Sequence, residues 1–310
     1  MGPQGSRRYR PYPVTRRGLL KWLGGLAIAG ASVGTYALAI EPGFLLRTQY
    51  YALTPPNWTP GLKLRLVLIA DPHLGEPYMS LGRWSRILDL ANSLEGDLNL
   101  LLGDFAATHR FVTSRIPIAD TAHAAKKLTS RLGTYAIIGN HDWWGDATAQ
   151  SLGHGPTLAE RAMEDAGIPV LENRVARLAK DNLPFWLSGT ASIVALKTEV
   201  RGRFEGRDDL PGTLAQVTDA APIIHLAHEP DLFTQMPPRV SLTLSGHTHG
   251  GQVRLLGWSP IVPSEFGNRF AYGHIIEDGR HLIVSGGLGC SVLPVRLGVP
   301  PEITVVDLTG

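Results

Sequence analysis

The sequence predicts an α/β fold, because short apolar runs typical of buried strands alternate with helical segments along most of the chain. Two further observations support this fold class. The chain has 310 residues, 44% hydrophobic and 18% charged, which is enough for one large globular domain or two small ones. Several apolar runs also end in aspartate, asparagine or histidine, and open α/β sheets collect such residues where the carboxyl ends of their strands converge.

Residues 1–40 are predicted to be a twin-arginine signal peptide or a membrane anchor. The stretch TRRGLLK (15–21) precedes an apolar segment that has no charge before Glu41. It resembles the export signal read by the twin-arginine export machinery, which carries folded proteins across a bacterial inner membrane. Ala37-Leu-Ala39 offers a cleavage site, whereas an uncleaved segment of this length would span the membrane. We therefore expect an exported, periplasmic or otherwise extracytoplasmic protein, either released or anchored at the membrane surface.

Residues 41–61, rich in proline and aromatic residues, are predicted to be a linker, either a tether or a strap packed on the domain of residues 62–310. The formal net charge is only +2, and much of the basic excess lies before residue 22. The rest of the chain is close to neutral, so a nucleic-acid partner has no support. The single cysteine, Cys290, cannot form an internal disulfide, and its glycine-rich surroundings favour a buried turn over a catalytic thiol.

The domain is predicted to begin with strands that alternate with helices. Residues 63–70 (KLRLVLIA) form an apolar strand, and a helix over 81–94 places Trp84, Leu88 and Ala91 on one face. The remaining helices are expected over about 117–132 and 157–166. The remaining strands are expected over 97–102, 134–138, 168–171, 185–189, 222–228, 241–246, 281–286 and 302–308.

Five clusters of polar residues follow these strands, and together they predict a metal site. In the stretch GHTHGG, His247 and His249 are two residues apart and leave the end of a strand on the same side. Two divalent ions about 3.5–4 Å apart need a shared anionic ligand, and Asp104 is the natural bridge. Imidazole and carboxylate ligands suit Mn, Fe or Zn, and the absence of cysteine ligands argues against a closed structural zinc site. The clusters contain Asp71 and His73, Asp104, Asn140 and His141, His228, and His247 and His249.

These blocks, DPH, GDFAA, GNHD, a lone histidine and GHTH, resemble the signature of the calcineurin-like metallophosphoesterases from about residue 62 to the end. The resemblance implies two packed mixed β-sheets flanked by helices, an αββα sandwich, with a dinuclear metal site at the strand C-termini. It assigns Asp71, His73, Asp104 and His249 to one metal, and Asp104, Asn140, His228 and His247 to the other. It further implies hydrolysis of a phosphodiester or phosphomonoester by a metal-bound hydroxide. His141 would stabilise the transition state or protonate the leaving oxygen.

One position departs from the family pattern. Ala107 stands where the G-D-x-x-D block has its second aspartate, which in the family orients the histidine of the GNH block. Asp142 or His109 could take over this role, although His109 could equally contact substrate or be an ordinary loop residue. Arg296, near the end of the chain, could bind phosphate or form a structural ion pair.

The segment 287–308 resembles an exported or membrane-associated bacterial phosphodiesterase branch, so a lipid-linked phosphoester is one expected type of substrate. Two alternatives stay open. One is a lipid-directed pyrophosphatase resembling UDP-2,3-diacylglucosamine hydrolase, whose cytosolic nucleotide substrate conflicts with export. The other is a metal-binding protein in which the altered second block marks weakened catalysis.

Overall fold

The computed structural model describes residues 15–310. Residues 1–14, which are part of the signal peptide or membrane anchor predicted over residues 1–40, lie outside the described residues. Its first helix is long and exposed, and the others are short. The helices are α1 (Arg16–Thr35), continued by a π-helical turn (Tyr36–Ile40), α2 (Glu41–Phe44), α3 (Leu81–Ser93), α4 (Ile118–Ala125), α5 (Asn140–Gly145), α6 (Ala147–Leu152), α7 (Leu158–Asp165) and α8 (Leu210–Ala215).

The first of two large sheets has five strands, and the second strand in spatial order, which is the last in the chain, is parallel to the edge strand and antiparallel to its other neighbour. The strands joined by helical crossovers run parallel, as βαβ units require. In spatial order the strands are β1 (Arg47–Leu53), β15 (Glu302–Leu308), β2 (Leu64–Ile69), β4 (Leu98–Leu101) and β6 (Thr134–Ala136).

The second large sheet has six strands, parallel in the middle and antiparallel at both edges. In order they are β13 (Gly273–Glu277), β14 (Arg280–Val284), β12 (Leu242–Ser245), β11 (Ile223–Leu226), β8 (Leu183–Gly189) and β7 (Arg174–Lys180). Two further pairs are small: β3 (Gly75–Glu76) with β5 (Ser114–Arg115), and β9 (Leu196–Lys197) with β10 (Phe204–Glu205).

The two sheets pack face to face and helices cover their outer faces. Leu66 and Leu100 of the first sheet share a buried cluster with Leu226 and Leu244 of the second. On the other face of the first sheet, Trp84 of α3 packs with residues of β2 and β4. Residues of α8 and of a 3-10 helix (Pro230–Gln235) cover the second sheet. This arrangement confirms the expected αββα sandwich.

Several predicted boundaries differ from the structure. The helix expected over 117–132 ends at Ala125, and residues 168–171 form only an isolated bridge between Ala136 and Val170. Strands β1, β7 and β13 were not predicted; each is a sheet-edge strand. Because an edge strand has a partner on one side only and stays partly exposed, its sequence lacks a continuous apolar run.

The segment expected to be a linker, residues 41–61, contains α2 and all of β1. Strand β1 pairs with β15 along seven residues, from Arg47 opposite Glu302 to Leu53 opposite Leu308. The Arg47 guanidinium also lies 2.8 Å from the buried Glu302 carboxylate. Residues 47–53 are therefore part of the first sheet.

One helical stretch of the described chain, Arg16–Phe44, is long and apolar enough to cross a membrane. Thr15 begins it, because its hydroxyl accepts a hydrogen bond from the Gly18 amide at 3.1 Å. All residues of α1 are exposed or partly exposed, while Ala37, Glu41 and Pro42 at its end are buried against the domain.

Candidate metal centre

The predicted ligands lie in five loops at the carboxyl ends of strands from both sheets. Asp71 and His73 follow β2, Asp104 follows β4, and Asn140 is the first residue of α5 after β6. From the second sheet, the loop after β11 supplies one histidine and the loop after β12 supplies two: His228, His247 and His249. Two sheets packed face to face therefore bring ligands 178 positions apart in sequence into one site.

The loops hold these residues in unusual backbone conformations. Five of the predicted ligands have positive φ angles: Asp71 (51°), His73 (43°), Asp104 (55°), His247 (69°) and His249 (51°). Such conformations are uncommon for residues other than glycine, and they cluster at functional sites where the surrounding structure enforces them.

Glycine at position 139 allows the loops to approach each other closely. A Cβ atom there would lie 2.5 Å from the Asp104 amide nitrogen and 2.7 Å from the His228 ring. Any larger residue would displace the loops that carry these two side chains.

The side chains form two adjacent groups that could each hold a metal ion. One contains Asp71, His73 and His249, and the other contains Asp104, His228 and His247. A single oxygen, Asp104 Oδ2, lies 3.5 Å from His73 Nε2 in the first group and 3.3 Å from His228 Nε2 in the second. Asp104 therefore stands between the groups, as a bridging ligand would.

Separations between other donor atoms suit shared coordination. His73 Nε2 is 3.1 Å from His249 Nε2, and His249 Nε2 is 3.8 Å from Asp71 Oδ1. The Asn140 Oδ1 atom lies 3.2 Å from His228 Nε2 and 2.8 Å from His247 Nδ1, so it belongs to the second group. Atoms bound about 2.1 Å from one metal ion are separated by roughly 3–3.5 Å.

Hydrogen bonds on the far side of the imidazoles favour the tautomers that bind metal. The Nδ1 of His228 donates to the Leu102 carbonyl at 2.6 Å, and that of His249 lies 3.2 Å from both the Gly289 carbonyl and a guanidinium nitrogen of Arg296. His73 Nδ1 lies 3.4 Å from the Ala106 carbonyl. In a neutral ring whose Nδ1 donates in this way, Nε2, which faces the other donor atoms, carries no proton and is free to bind a metal.

Burial also shifts the pKa values of the candidate ligands. It raises the pKa of the Asp71 carboxyl to about 7, with a further increase from the nearby Asp104 charge. It lowers the pKa of His73 to about 3, so this imidazole is neutral at physiological pH. Burial lowers the pKa of His228, but the Asp104 carboxylate outweighs burial and raises this pKa well above its usual value, so a proton on His228 balances part of the buried negative charge. Divalent cations would displace that proton and balance the remaining charge. The donor set therefore fits two divalent metal ions.

His141 lies beside the two groups, but its partners differ from both predicted ones. Its Nδ1 is hydrogen-bonded to the Thr108 hydroxyl, and its Nε2 lies 3.1 Å from the Ser291 hydroxyl. Its ring centroid is 4.9 Å from that of His73 and 5.0 Å from that of Trp144. Neutral hydroxyls, rather than a carboxylate, thus contact this imidazole.

The two residues expected to replace the missing aspartate have other contacts. The Asp142 carboxylate accepts hydrogen bonds from four backbone amides, those of Asp104, Phe105, Ala106 and Gly139, and so joins two ligand loops. His109 Nδ1 accepts a bond from the Phe111 amide at 3.2 Å, and His109 lines a cavity that also borders His141. Neither side chain contacts the His141 ring through a hydrogen bond.

Arg296 neither binds the site's open face nor forms the expected ion pair. Its fully buried guanidinium donates to the backbone carbonyls of Gly286, Gly289 and Val299 at 2.5–2.9 Å. It thereby fixes the loop whose Gly289 carbonyl orients His249. Sequence reasoning missed this role, and it missed Thr108 and Ser291, because nothing in their spacing shows which backbone or ring they meet.

Comparisons with known proteins agree with this geometry. The Calcineurin-like phosphoesterase family matches residues 64–251. The metallophosphoesterase YkuE of Bacillus subtilis (strain 168) is 30% identical over 306 residues, covering 95% of this chain and 98% of that protein. The phosphodiesterase YaeI of Escherichia coli (strain K12) is 29% identical over 284 residues, covering 91% and 94%. A transmembrane protein with a metallophosphoesterase domain from Danio rerio is 31% identical over 250 residues, covering 79% of this chain and 53% of that protein.

The family uses divalent metal ions, and its match covers more than half of the chain. The chain therefore belongs to the calcineurin-like phosphoesterases and is a metal-dependent hydrolase of phosphoester bonds.

Proposed function

We propose that the protein is a phosphodiesterase that uses two divalent ions and acts outside the inner membrane, to which α1 anchors it. The position of Asp104 Oδ2, within 3.5 Å of a histidine nitrogen from each group, is the observation that most strongly supports two bound metal ions. One group would bind its ion through Asp71, His73, Asp104 and His249. The other would use Asp104, Asn140, His228 and His247.

Two divalent ions would polarise the phosphoryl oxygens and lower the pKa of a bound water molecule. The protein's part is to hold the ligands rigidly and to place His141 at the edge of the site. There the His141 ring, oriented by Thr108, donates a hydrogen bond to a non-bridging phosphoryl oxygen and so stabilises the charge that develops on it.

Two cavities beside the site favour a diester over a monoester. One, of about 360 Å³, borders His141 and is lined by Thr108, His109 and Arg110. The other, of about 310 Å³, borders His249. Residues 291–293 line both cavities. A phosphorus atom at the metal centre could therefore carry a substituent on each side.

The contacts at the end of the apolar helix support a retained anchor. The Ala37 carbonyl accepts a hydrogen bond from the Arg296 amide at 2.9 Å, and the Glu41 carboxylate accepts one from the Gly298 amide at 3.0 Å. The Ala37-Leu-Ala39 site is thus helical and tied to the domain, whereas a signal peptidase site must be accessible. The basic residues before the helix favour an orientation with the N-terminus in the cytoplasm and the domain outside. Intact mass of the membrane-extracted protein tests retention: loss of residues 1–39 would contradict it.

The enzyme activity is tested by metal analysis of protein purified without chelator, combined with turnover of bis-p-nitrophenyl phosphate and p-nitrophenyl phosphate. We expect about two Mn, Fe or Zn ions per chain and faster turnover of the diester. Chelation should abolish turnover and metal addition should restore it. Two bound ions without turnover of either ester would instead favour the metal-binding alternative, and preference for the monoester would contradict the assignment as a phosphodiesterase.

A further inference from the structure

The cavity of about 310 Å³ beside His249 is an apolar groove. One wall is the segment 248–263 and the other is the segment 291–295. Val253, Pro260 and Ile261 face Val292 and Leu293 across it. Apart from the His249 imidazole at its inner end, none of the described residues that line the groove carries an aromatic ring or a charged carboxylate, guanidinium or ammonium group.

The polar side chains of the groove are used within the protein. The Gln252 amide donates to the carbonyls of Leu293 and Val295 and accepts from the Ser291 amide, so it joins the two walls. The Thr248 hydroxyl donates to the Ala271 carbonyl at 2.7 Å. A nucleoside or a sugar in the groove would find few free partners for its own polar groups, and burying such groups unpaired is costly. A hydrocarbon chain has no such cost.

The inner end of the groove reaches the metal centre. His249, a predicted ligand, lines it. Ser291, at the head of the second wall, contacts His141 Nε2. A substituent of a phosphoester bound at the metal centre would therefore enter the groove directly.

The outer end of the groove is an exposed apolar rim next to the membrane helix. Leu255, Leu256, Trp258, Ile261, Val292 and Leu293 are all exposed there. Leu297 exchanges backbone hydrogen bonds with Gln252 and Arg254, and its neighbour Arg296 binds the Ala37 carbonyl at the end of the helix. No extended linker separates the helix from these contacts, since Ala37 to Phe44 is helical. A helix that spans the bilayer would thus hold the apolar rim at the membrane surface.

We infer that the natural substrate is a phosphodiester carrying a fatty acyl chain, taken from the membrane surface, with that chain in the apolar groove. This inference rests on the proposed function and names the substrate class of the same site. The rim lies among the lipid chains, the groove accepts one of them, and the phosphoryl group reaches the metal centre.

The test uses the full-length, metal-loaded protein in detergent and two diesters with the same leaving group, methyl p-nitrophenyl phosphate and octyl p-nitrophenyl phosphate, both as monomers. We expect kcat/KM to be roughly 60-fold higher for the octyl ester, the gain from burying about three methylene groups. The variant Ile261→Asp places a charge in the groove wall and should reduce this ratio to nearly one. Ile276→Asp on strand β13, where the side chain is 58% exposed compared with 77% for Ile261, is the matched control and should keep the ratio.

Equal kcat/KM for the two esters in the wild-type protein would overturn the inference while leaving the proposed function intact. A ratio that Ile261→Asp does not change, or that Ile276→Asp reduces equally, would place the chain elsewhere and also overturn it. If neither ester were hydrolysed with two metals bound, the proposed function itself would fail. Thermal unfolding and metal content of both variants should match the wild type, because both positions are exposed.

Discussion

Replacing His141 by alanine should reduce turnover about equally for diesters with good and with poor leaving groups. The structure gives the reason: the His141 ring nitrogens contact the hydroxyls of Thr108 and Ser291, whereas a carboxylate partner would raise the basicity of the ring. A general acid matters most for a leaving group of high pKa. A donor that stabilises the phosphoryl oxygens matters equally for both.

The size of the effect follows from the contacts. Removal of a preorganised donor typically costs about 100-fold in turnover. The Thr108 hydroxyl acts on the reaction only through His141, and one neutral hydrogen bond is worth about 0.5–1.5 kcal/mol. Thr108→Val should therefore reduce turnover roughly 3- to 10-fold. Thr108→Ser keeps the hydroxyl and should restore most of the activity.

The assay is a double-mutant cycle with nitrophenyl and alkyl leaving groups. His141→Ala should retain both metals, since its side chain belongs to neither metal group, and Thr108→Val should have no further effect in the His141→Ala background. A much larger loss on the alkyl ester would show that His141 protonates the leaving oxygen. Additive effects of the two substitutions would show that Thr108 does not act through His141.

Three predictions concern location, the domain boundary and pH. Replacing Arg16 and Arg17 with lysine should leave the protein in the cytoplasm with its activity unchanged, because the arginine pair is an address read by the export machinery, as fractionation would show. Arg47→Met should lower the free energy of unfolding by about 2 kcal/mol, because it leaves the buried Glu302 carboxylate without its cation. Burial lowers the pKa of His225 from 6.5 to about 3, so the unfolded chain binds an additional proton between these values and stability falls as the pH drops below about 6.5. Between pH 7.5 and pH 5.5, the free energy of unfolding measured with urea in the presence of a chelator should fall by about 1.4 kcal/mol more for the wild type than for His225→Leu.

Each of these predictions has a clear contrary result. Equal export of the arginine and lysine forms would refute the export signal. The surface pair of Arg177 and Asp219 is the control for Arg47, because exposed pairs contribute little. Equal effects of Arg177→Met and Arg47→Met would mean that the pair of Arg47 and Glu302 stabilises the domain no more than a surface pair does. If the free energy of unfolding of the His225 variant and of the wild type had the same pH dependence, His225 would be protonated at pH 5.5 in the folded protein as it is in the unfolded chain.

The candidate ligands that the structure brings together could be picked out from the sequence because each follows an apolar run directly. Asp71 and His73, for example, come two and four residues after the end of β2. This signal is local, since a buried strand is recognised from its own residues and its end marks the edge of the sheet. The edge strand β1 has no such signal. Its sequence, RTQYYAL, is partly exposed, and only its pairing with β15 makes it a strand of this sheet.

The surroundings of the site could not be predicted in the same way. Ser291 contacts His141 although the two residues are 150 positions apart in the sequence. Arg296 binds backbone carbonyl groups, which every residue possesses. The apolar groove likewise forms only when two distant segments face each other. Such contacts depend on the folded backbone and leave no spacing that can be read along the chain.

The variant Asp104→Asn tests whether Asp104 bridges two metal ions. The amide keeps the size of the side chain but is a poor bridging ligand. Metal analysis and diester turnover should be measured on the same preparation, with circular dichroism to verify folding. Bound metal should fall from about two ions to one or fewer, and hydrolysis should be lost. Two bound ions with unchanged turnover would contradict this bridging role.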